Sequence, residues 1–359
     1  MRPLSVSSRA LESGPLSFVV SRFVLALTFS TIVALARAEE APSSSSISRE
    51  VKDVFDKSAK AVVKIRGTDQ YGELSGTGFF IDPAGTLYTA FSVGGDTENV
   101  KVEFEGKEYP ARVILSDFRS GIALLKIDIA TPALPIGKSQ PIEVATPVIT
   151  IGYPLDLPET PSFGMIAGFD RKFLGHYFTT THLRVNLPTQ RGEAGAPLLN
   201  FKGEVVGILV ANIDNGSACY ALPIDAAEKI HNDFIRFGEA RHGWIGINVA
   251  AAEKAVEGSS AEMTEIMKDT PAFGSGVKTG DILLQVGNTK VHEPEDVIDA
   301  SFFLTAGDTI PIIVWRGDEK LTFEIQADFH PASHHSPRAA TLTPHDGIPL
   351  QLDATRRKP

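Results

Sequence analysis

Few side chains in this sequence could do covalent chemistry at neutral pH. The chain has nine histidines and one cysteine, Cys219. A serine or cysteine nucleophile needs a base within hydrogen-bond reach, so each histidine is a candidate. Nothing basic adjoins Cys219 to lower its pKa, so we interpret it as a small buried strand residue, with a reactive thiol as the alternative. With no second cysteine, a disulfide-stapled scaffold is excluded.

Three histidines near the carboxyl end, His330, His334 and His335, could ligate a metal. They begin a segment, residues 330–359, that is rich in Pro, Ser and His and lacks apolar periodicity. That composition predicts a disordered tail. Because a metal site needs ligands held in a fixed geometry, we predict neither a metal nor a cofactor.

The first residues have the order of a targeting segment. Arg2, Arg9 and Arg22 precede an apolar run at residues 23–36, which ends in the small-x-small sequence Ala36-Arg37-Ala38. We therefore predict a secretory signal peptide, residues 1–38, cleaved after Ala38, and export to the periplasm or cell envelope. The run is shorter than the ~20 residues that span a bilayer, and a retained membrane anchor is the alternative.

Charge excludes two classes of partner. Removing residues 1–38 takes away four arginines and one glutamate, which leaves 30 basic and 43 acidic residues and a net charge of −13. An acidic surface disfavours binding to nucleic acid and to anionic lipid. The length of 359 residues allows two or three domains.

The elements that must position any site are mostly strands. A Ser-rich stretch, residues 39–49, predicts a flexible linker, and helical spacing begins at Glu50. Short β-branched runs between Gly, Pro and Asp turns then continue to about Pro223, which predicts a sandwich or barrels closed by a helix at 225–237. A second unit, 243–329, mixes strands with a helix at 295–304.

The segment Gly192 to Asn200, GEAGAPLLN, followed by Gly203 to Ile208, resembles the nucleophile loop of the HtrA-family serine proteases. Other segments match that family in the same order. They are 75–79, 85–93, 116–127, 134–139, 151–154 and 220–223. Six ordered matches over about 150 residues make the resemblance specific. It implies a chymotrypsin-like double β-barrel over residues 50–238.

The second unit resembles the PDZ domain of the same family. Gly243 to Ile247, GWIGI, occupies the place of its first motif, and segments 270–272, 276–283 and 306–310 follow in register. The resemblance implies an all-β dominated chain, in which the double barrel precedes a β-rich α+β PDZ domain at 243–329.

Serine proteolysis needs a hydroxyl, an imidazole and a carboxylate in one geometry. The resemblance puts Ser92 at the histidine position, Gly121 at the aspartate position and Ala194 at the serine position. Alanine has no nucleophilic atom and serine is no base near neutral pH. The catalytic residues are thus predicted to be absent and the chain not to be an enzyme. His182 is nearest to the Ala194 loop, where the resemblance implies a packed or solvent-facing strand residue.

The residual oxyanion loop consists of Gly192, Glu193 and Ala194, whose backbone N–H groups do not depend on side chains. Two departures suggest a changed loop. Ala196 replaces a glycine, which would strain the backbone if a positive φ were needed there. Glu193 brings a carboxylate that we expect beside the hole, where it would oppose a developing oxyanion.

PDZ domains accept an extended chain end as an added strand. The resemblance assigns the carboxylate-binding loop to Trp244, Ile245, Gly246 and Ile247, and the apolar pocket to the helix that follows. Candidates for the pocket are Val297, Ala300, Ser301 and Leu304. The alternative is that Val297 and Leu304 face the core, because this helix is apolar nearly all round.

These features predict an exported HtrA-like pseudoprotease that binds peptides or protein C-termini as an adaptor, regulator or chaperone-like subunit. Active members of the family commonly form trimers, which implies a homotrimer or a hetero-oligomer with an active HtrA-type protease. The alternatives are an active serine endopeptidase with a relocated catalytic site, and a structural envelope protein without a peptide ligand.

Overall fold

The structure is a computed structural model that describes residues 44–174, 176–213 and 217–331. The chain divides into two compact units, residues 1–50 and residues 51–359. The predicted signal peptide and its cleavage point lie outside the described residues. No helix within the described ranges is long and apolar enough to cross a membrane.

The first described element is helix α1, Ser44–Ser58. The predicted flexible linker at 39–49 is therefore wrong from Ser44 onward, and residues 39–43 lie outside the described part. The apolar residues recur at helical spacing at Ile47, Val51, Val54 and Phe55. The apolar stripe therefore begins one turn earlier than the predicted start at Glu50. A short 3₁₀ turn, Ala59–Ala61, leads into the first strand.

Seven antiparallel strands form the first sheet, in the order β5-β4-β1-β2-β3-β7-β6. Their bounds are β1 Val62–Asp69, β2 Gly72–Phe80, β3 Thr86–Ala90, β4 Glu98–Phe104, β5 Lys107–Pro110, β6 Arg112–Asp117 and β7 Ile122–Lys126. All five residues of β3 are buried, as the run of apolar and β-branched residues predicts. A single helical turn, α2 (Phe91–Gly94), follows β3 directly.

Six strands close into a barrel in the order β10-β13-β12-β11-β8-β9. Their bounds are β8 Pro147–Gly152, β9 Thr160–Phe173, β10 His176–Asn186, β11 Pro197–Leu199, β12 Val205–Ile213 and β13 Ala218–Pro223. A 3₁₀ turn, Pro154–Asp156, follows β8. Helix α3, Ile224–Phe237, confirms the helix predicted at 225–237, and Gly238 ends it in the left-handed conformation that glycine favours.

The carboxyl-terminal unit contains a six-stranded antiparallel sheet and one helix. Its elements are β14 Gly243–Trp244, β15 Ile247–Val256, β16 Ser259–Ile266, β17 Ile282–Val286, β18 Thr289–Lys290, α4 Asp296–Phe302, β19 Thr309–Arg316, β20 Glu319–Gln326 and β21 Asp328–Phe329. Helix α4 is shorter than the predicted 295–304, because the Leu304 N–H donates to the Ser301 carbonyl in a tighter turn. The predicted all-β dominated fold is confirmed by these elements.

Arg171 on β9 connects the barrel to helix α4. Its guanidinium contacts three carboxylates, with nitrogen–oxygen distances of 2.5 Å to Glu293, 2.6 Å to Asp296 and 3.0 Å to Asp299. Asp299 also accepts hydrogen bonds from Thr180 and Thr181 on β10. One face of α4 is therefore held by the β9–β10 hairpin.

The predicted disordered tail begins with an ordered residue. The His330 N–H donates to the His242 carbonyl at 2.9 Å, and His330 Nδ1 lies 3.1 Å from Arg119 Nη1. The prediction is therefore wrong for His330, which tertiary contacts hold in place. His334 and His335 lie outside the described residues. Within the described residues, no group of three or more metal-binding side chains occurs.

Candidate functional site

The three positions that the resemblance assigns to the triad lie on segments that contact one another. Ser92 is an exposed residue of α2, and the N–H of its neighbour Phe91 donates to the Gly121 carbonyl at 2.7 Å. The Ala194 carbonyl accepts a hydrogen bond of 2.9 Å from the Thr77 N–H on β2. The next residue, Gly195, is so close to β3 that a Cβ there would lie 2.6 Å from the Ala90 nitrogen.

The surroundings of these positions are apolar. Ala194 packs against the core cluster that contains Ala90 and Val93, the residues on either side of the Phe91-Ser92 pair. The rings of Phe91 and Phe118 meet edge to face at 5.3 Å, and Phe118 is half exposed. A Cβ at Gly121 would lie 3.7 Å from Val210 on β12. The Ala194 methyl group and the two aromatic rings therefore lie near the exposed Ser92.

Five of the six described histidine rings have carbonyl, carboxylate or arginine partners, and the sixth, His176, is exposed on β10. His182 Nδ1 bonds the Thr180 carbonyl, His292 Nδ1 the Gly258 carbonyl, His242 Nε2 the Asp117 carboxylate, and His231 lies beside Glu228. Burial lowers the pKa of His182 to about 4, and its ring stacks on Phe178. Of the two positions that the resemblance implied for His182, packed or solvent-facing, the structure shows the packed one.

Thr77 shapes the residual oxyanion loop. Its Oγ1 donates to the Gly192 carbonyl at 2.7 Å, beside the bond from its N–H to Ala194. The loop has positive φ angles at Gly192 (102°) and Gly195 (87°) and not at Ala196. The strain considered for Ala196 is therefore absent, because both positions that need glycine still have it.

Glu193 is oriented differently from the expectation. Its side chain folds under its own loop, where Oε2 accepts the Gln190 N–H at 2.5 Å and the residue is 2% exposed. Its Oε1 is buried and has no hydrogen-bond partner among the described residues. Burial raises the pKa of Glu193. The expectation of a carboxylate beside the hole is therefore wrong. The Glu193 carboxylate faces the interior, near Gly152, because its own backbone turn directs it there.

Cys219 is fully buried on β13. Burial and then the charge of Glu193 raise the pKa of its thiol to about 12. The interpretation as a small buried strand residue is confirmed, and the thiol has no thiolate character at neutral pH.

A groove lies between the start of β15 and helix α4 in the PDZ unit. Its lining contains the whole predicted loop and three of the four predicted helix residues. The eight lining residues are Trp244, Ile245, Gly246, Ile247, Val286, Val297, Ser301 and Leu304. Ala300 is the exception: it is 1% exposed, belongs to the core cluster and does not line the groove. Leu304 lines the groove and also belongs to the core cluster. Val286 was not predicted, because the sequence pattern of β17 does not indicate which of its residues lies at the groove.

The edge of the PDZ sheet borders this groove. Strand β15 is the terminal strand of the order β15-β16-β17-β19-β20 in the described chain. Gly246 has a φ of 81°, and a Cβ there would overlap Thr270 at 2.3 Å, so this position requires glycine. An edge strand beside an apolar groove is the arrangement into which an extended peptide adds as a strand.

Comparisons with known proteins agree with this architecture. Residues 76–208 match the family of trypsin-like peptidase domains, and residues 243–327 match the PDZ domain family. Serine endoprotease DegS of Salmonella typhimurium is 27% identical over 277 residues, covering 72% of this chain and 78% of DegS. A probable periplasmic DegP-like serine endoprotease of Rhizobium meliloti is 27% identical over 280 residues, and the match covers 74% of this chain and only 55% of that longer protein.

Solved structures show the same fold. The HtrA-type protease AlgW with a tripeptide superposes with a TM-score of 0.68 at 22% identity, covering 78% of this chain and 97% of AlgW. The serine endoprotease from Yersinia pestis gives a TM-score of 0.60 at 25% identity, covering 78% of this chain and 98% of its own. The chain is therefore HtrA/DegS-like: it combines a trypsin-like peptidase fold with a carboxyl-terminal PDZ domain.

Proposed function

We propose that this protein is an HtrA-like pseudoprotease, which binds peptides or unfolded chain ends and does not cut them. The observation that carries the proposal is Ala194, a residue without a nucleophilic atom, in a loop whose backbone is otherwise held as a nucleophile loop would be. Ser92 and Gly121 stand at the other two triad positions. Loss of triad members typically lowers turnover about 10⁴–10⁶-fold.

A relocated catalytic site is the rival enzyme hypothesis. Two observations argue against it. Five of the six described histidine rings contact carbonyls, carboxylates or an arginine, and His176 is exposed on β10. The one thiol, Cys219, is buried and has a raised pKa of about 12.

Peptide binding is proposed for the PDZ groove. The apolar lining from Val297 and Leu304 suits a side chain near the end of the bound chain, and the edge of β15 suits its backbone. In this proposal the protein acts as an adaptor, a regulator or a chaperone-like subunit. The names of relatives that include "periplasmic" support export to the periplasm or cell envelope.

A fluorophosphonate probe and a casein digest test the absence of proteolysis, with trypsin as the positive control. We expect neither labelling nor cleavage by the wild-type protein. Labelling of the wild type, together with cleavage that the probe blocks, would overturn the proposal and favour a relocated site.

Isothermal titration with peptides that have free C-termini tests the groove. The variant Val297→Glu places a charge in the groove wall, and we expect at least about tenfold weaker binding because a charge is costly in an apolar pocket. Ala255→Glu is the matched control, because Ala255 is exposed on β15 outside the groove lining. No binding by any peptide would favour the third hypothesis, a structural envelope protein.

A further inference from the structure

The chain leaves the described part of the structure beside the triad positions. His330 Nδ1 lies 3.1 Å from Arg119 Nη1, and the next residue, Pro331, is exposed. Arg119 directly follows Phe118 in the chain. Residues 332–359 therefore start close to the surface around Phe118.

That surface is apolar and none of its side chains is fully buried. Phe118 is 50% exposed, and its ring meets that of Phe91 edge to face at 5.3 Å. The Phe91 N–H donates to the Gly121 carbonyl, and a Cβ at Gly121 would lie 3.7 Å from Val210. These four residues, Phe91, Phe118, Gly121 and Val210, are the Phe118 patch. Two aromatic rings and a valine lose contact with water when an apolar segment covers them, which favours binding.

The sequence that follows Pro331 contains one group of large apolar residues. Ile348, Leu350 and Leu352 alternate within the segment 346–353, DGIPLQLD, and they are three of the four large apolar residues in 332–359. In an extended chain alternate side chains lie on one side, so these three can cover an apolar surface together. The segment has the composition that a surface like the Phe118 patch binds.

Charge favours the same pairing. Asp346 and Asp353 flank the three apolar residues. The Nε of Arg119 is buried and has no hydrogen-bond partner among the described residues, and burial lowers the pKa of this guanidinium. The carboxylate nearest to Arg119 along the chain, that of Asp117, pairs with His242 instead. A carboxylate at the edge of the Phe118 patch would therefore gain a charge-assisted contact with Arg119.

The connection between the two is long enough to reach and short enough to concentrate the segment. Sixteen residues, 332–347, separate Pro331 from Ile348, and a chain of that length spans at most about 50 Å. Such a tether gives the segment a local concentration of about 1 mM. A segment with a Kd of about 0.1 mM would then be bound about 90% of the time, so weak apolar contacts are sufficient.

We propose that residues 346–353 bind the Phe118 patch of their own chain, so that the protein covers the surface at its triad positions with its own tail. A peptide in solution then reaches this surface only when the tethered segment leaves it. The inference concerns the barrel unit and is independent of the proposed peptide binding by the PDZ groove.

A spin label on the segment tests the contact in the full chain. Gln351→Cys supplies the attachment point, because Cys219 is fully buried and its pKa is raised to about 12. In protein with ¹⁵N-labelled phenylalanine, we expect the label to cause loss of the Phe91 and Phe118 amide signals.

Substitutions in the tail provide the matched pair of controls. Changing Ile348, Leu350 and Leu352 together to serine, here the triple serine variant, should restore both amide signals. Leu342→Ser removes the remaining large apolar residue of the tail, outside the segment, and should restore neither.

Competition with a separate peptide gives the size of the effect. A peptide of residues 346–353, capped at both ends, should bind the triple serine variant at least about tenfold more tightly than the wild type, because no tethered copy competes. Adding Phe118→Glu to that variant should weaken the binding by a similar factor, since it places a charge in the patch. Adding Tyr71→Glu, on a separate exposed turn, should leave it unchanged.

Four results would overturn the proposal. They are unchanged Phe91 and Phe118 signals in the labelled chain, equal affinity of the wild type and the triple serine variant for the peptide, signals restored by Val297→Glu, and signal loss that requires label and ¹⁵N on different molecules. The third would place the segment in the PDZ groove, and the fourth would make a second copy the partner. Failure of the proposed PDZ function is distinguishable, because it appears in the titrations with free C-termini and leaves these signals as they are.

Discussion

Ala194 and Gly121 show how a residue can serve a fold through its backbone alone. The Ala194 carbonyl accepts a bond from Thr77, and the Gly121 carbonyl accepts one from Phe91. Neither bond involves a side chain, so the Thr77 contact does not depend on the side chain at position 194, whereas the φ of 76° at Gly121 favours glycine there. The backbone contact that holds the loop is therefore independent of the side chain that would do chemistry at position 194.

Glu193 should make the stability of the protein fall as pH rises. Burial raises its pKa in the folded state above that in the unfolded chain, so the folded state binds the proton more strongly. The stabilisation is present below the unfolded pKa and is lost as pH rises through the folded one. The free energy of unfolding of Glu193→Gln minus that of the wild type, measured with urea, should therefore be larger at pH 8 than at pH 4. The exposed Glu73→Gln is the control; a pH-independent difference for Glu193→Gln contradicts the assignment.

His182 should act in the opposite direction. Its folded pKa of about 4 is below the ordinary value of 6.5, so on acidification the unfolded chain takes up the proton first. Stability is lost as pH falls from about 6.5 towards 4, by about 2–3 kcal/mol for this group. His182→Gln should lessen that loss in urea unfolding at pH 7 and pH 4.5. His176→Gln, exposed on the same strand, should not.

The loop between β10 and β11 depends on glycines at two positions, and this can be tested as an element. Gly195→Ala would bring a Cβ within 2.2 Å of the Thr77 oxygen at a φ of 87°, and we expect a loss above about 3 kcal/mol. Gly106→Ala has a similar φ of 72° and no neighbour within 4 Å, so backbone strain alone should cost about 1 kcal/mol. Equal losses in chemical denaturation would show that packing on Thr77 contributes nothing.

Helix α4 and the β9–β10 hairpin form a second testable pair of elements. Arg171→Met removes three ion pairs and leaves Asp299 with its two threonine partners. We expect a loss of about 1–3 kcal/mol and faster hydrogen exchange in α4. Arg112→Met removes an exposed pair with Asp128 and should change stability by less than about 0.5 kcal/mol. Unchanged exchange in α4 would show that Arg171 does not hold the helix.

At the scale of the whole molecule, the outer face of the barrel exposes apolar side chains. Phe163 and Met165 alternate on β9 with exposures of 37% and 44%, and Phe163 stacks on Phe201 at 6.1 Å. Large contiguous apolar patches mark association surfaces, and this pair is the place to test the predicted homotrimer or hetero-oligomer. The double variant Phe163→Glu with Met165→Glu should shift sedimentation towards the monomer. Tyr71→Glu, on a separate exposed turn, is the control; a monomeric wild type excludes a homotrimer.

Local patterns in the sequence were sufficient to predict the order of the units. Strand runs between turn residues, the helix at 225–237 and the ordered motifs led to the barrel and PDZ fold, because spacing and turn chemistry are properties of neighbouring residues. The same motifs named Ser92, Gly121 and Ala194. For the PDZ groove they named all the loop residues and three of four helix residues that line it.

Other features depend on residues far apart in the chain, and the tertiary structure alone decided them. Ala300 faces the core and Glu193 points inward, because each orientation is set by the segment packed against it. His330 is held by His242 and Arg119, more than 80 residues upstream. The close packing of Gly192 on Tyr153 and of Gly195 on Thr77 likewise depends on residues distant in the chain. Sequence spacing reports a residue's neighbours along the chain, and these properties belong to its neighbours in space.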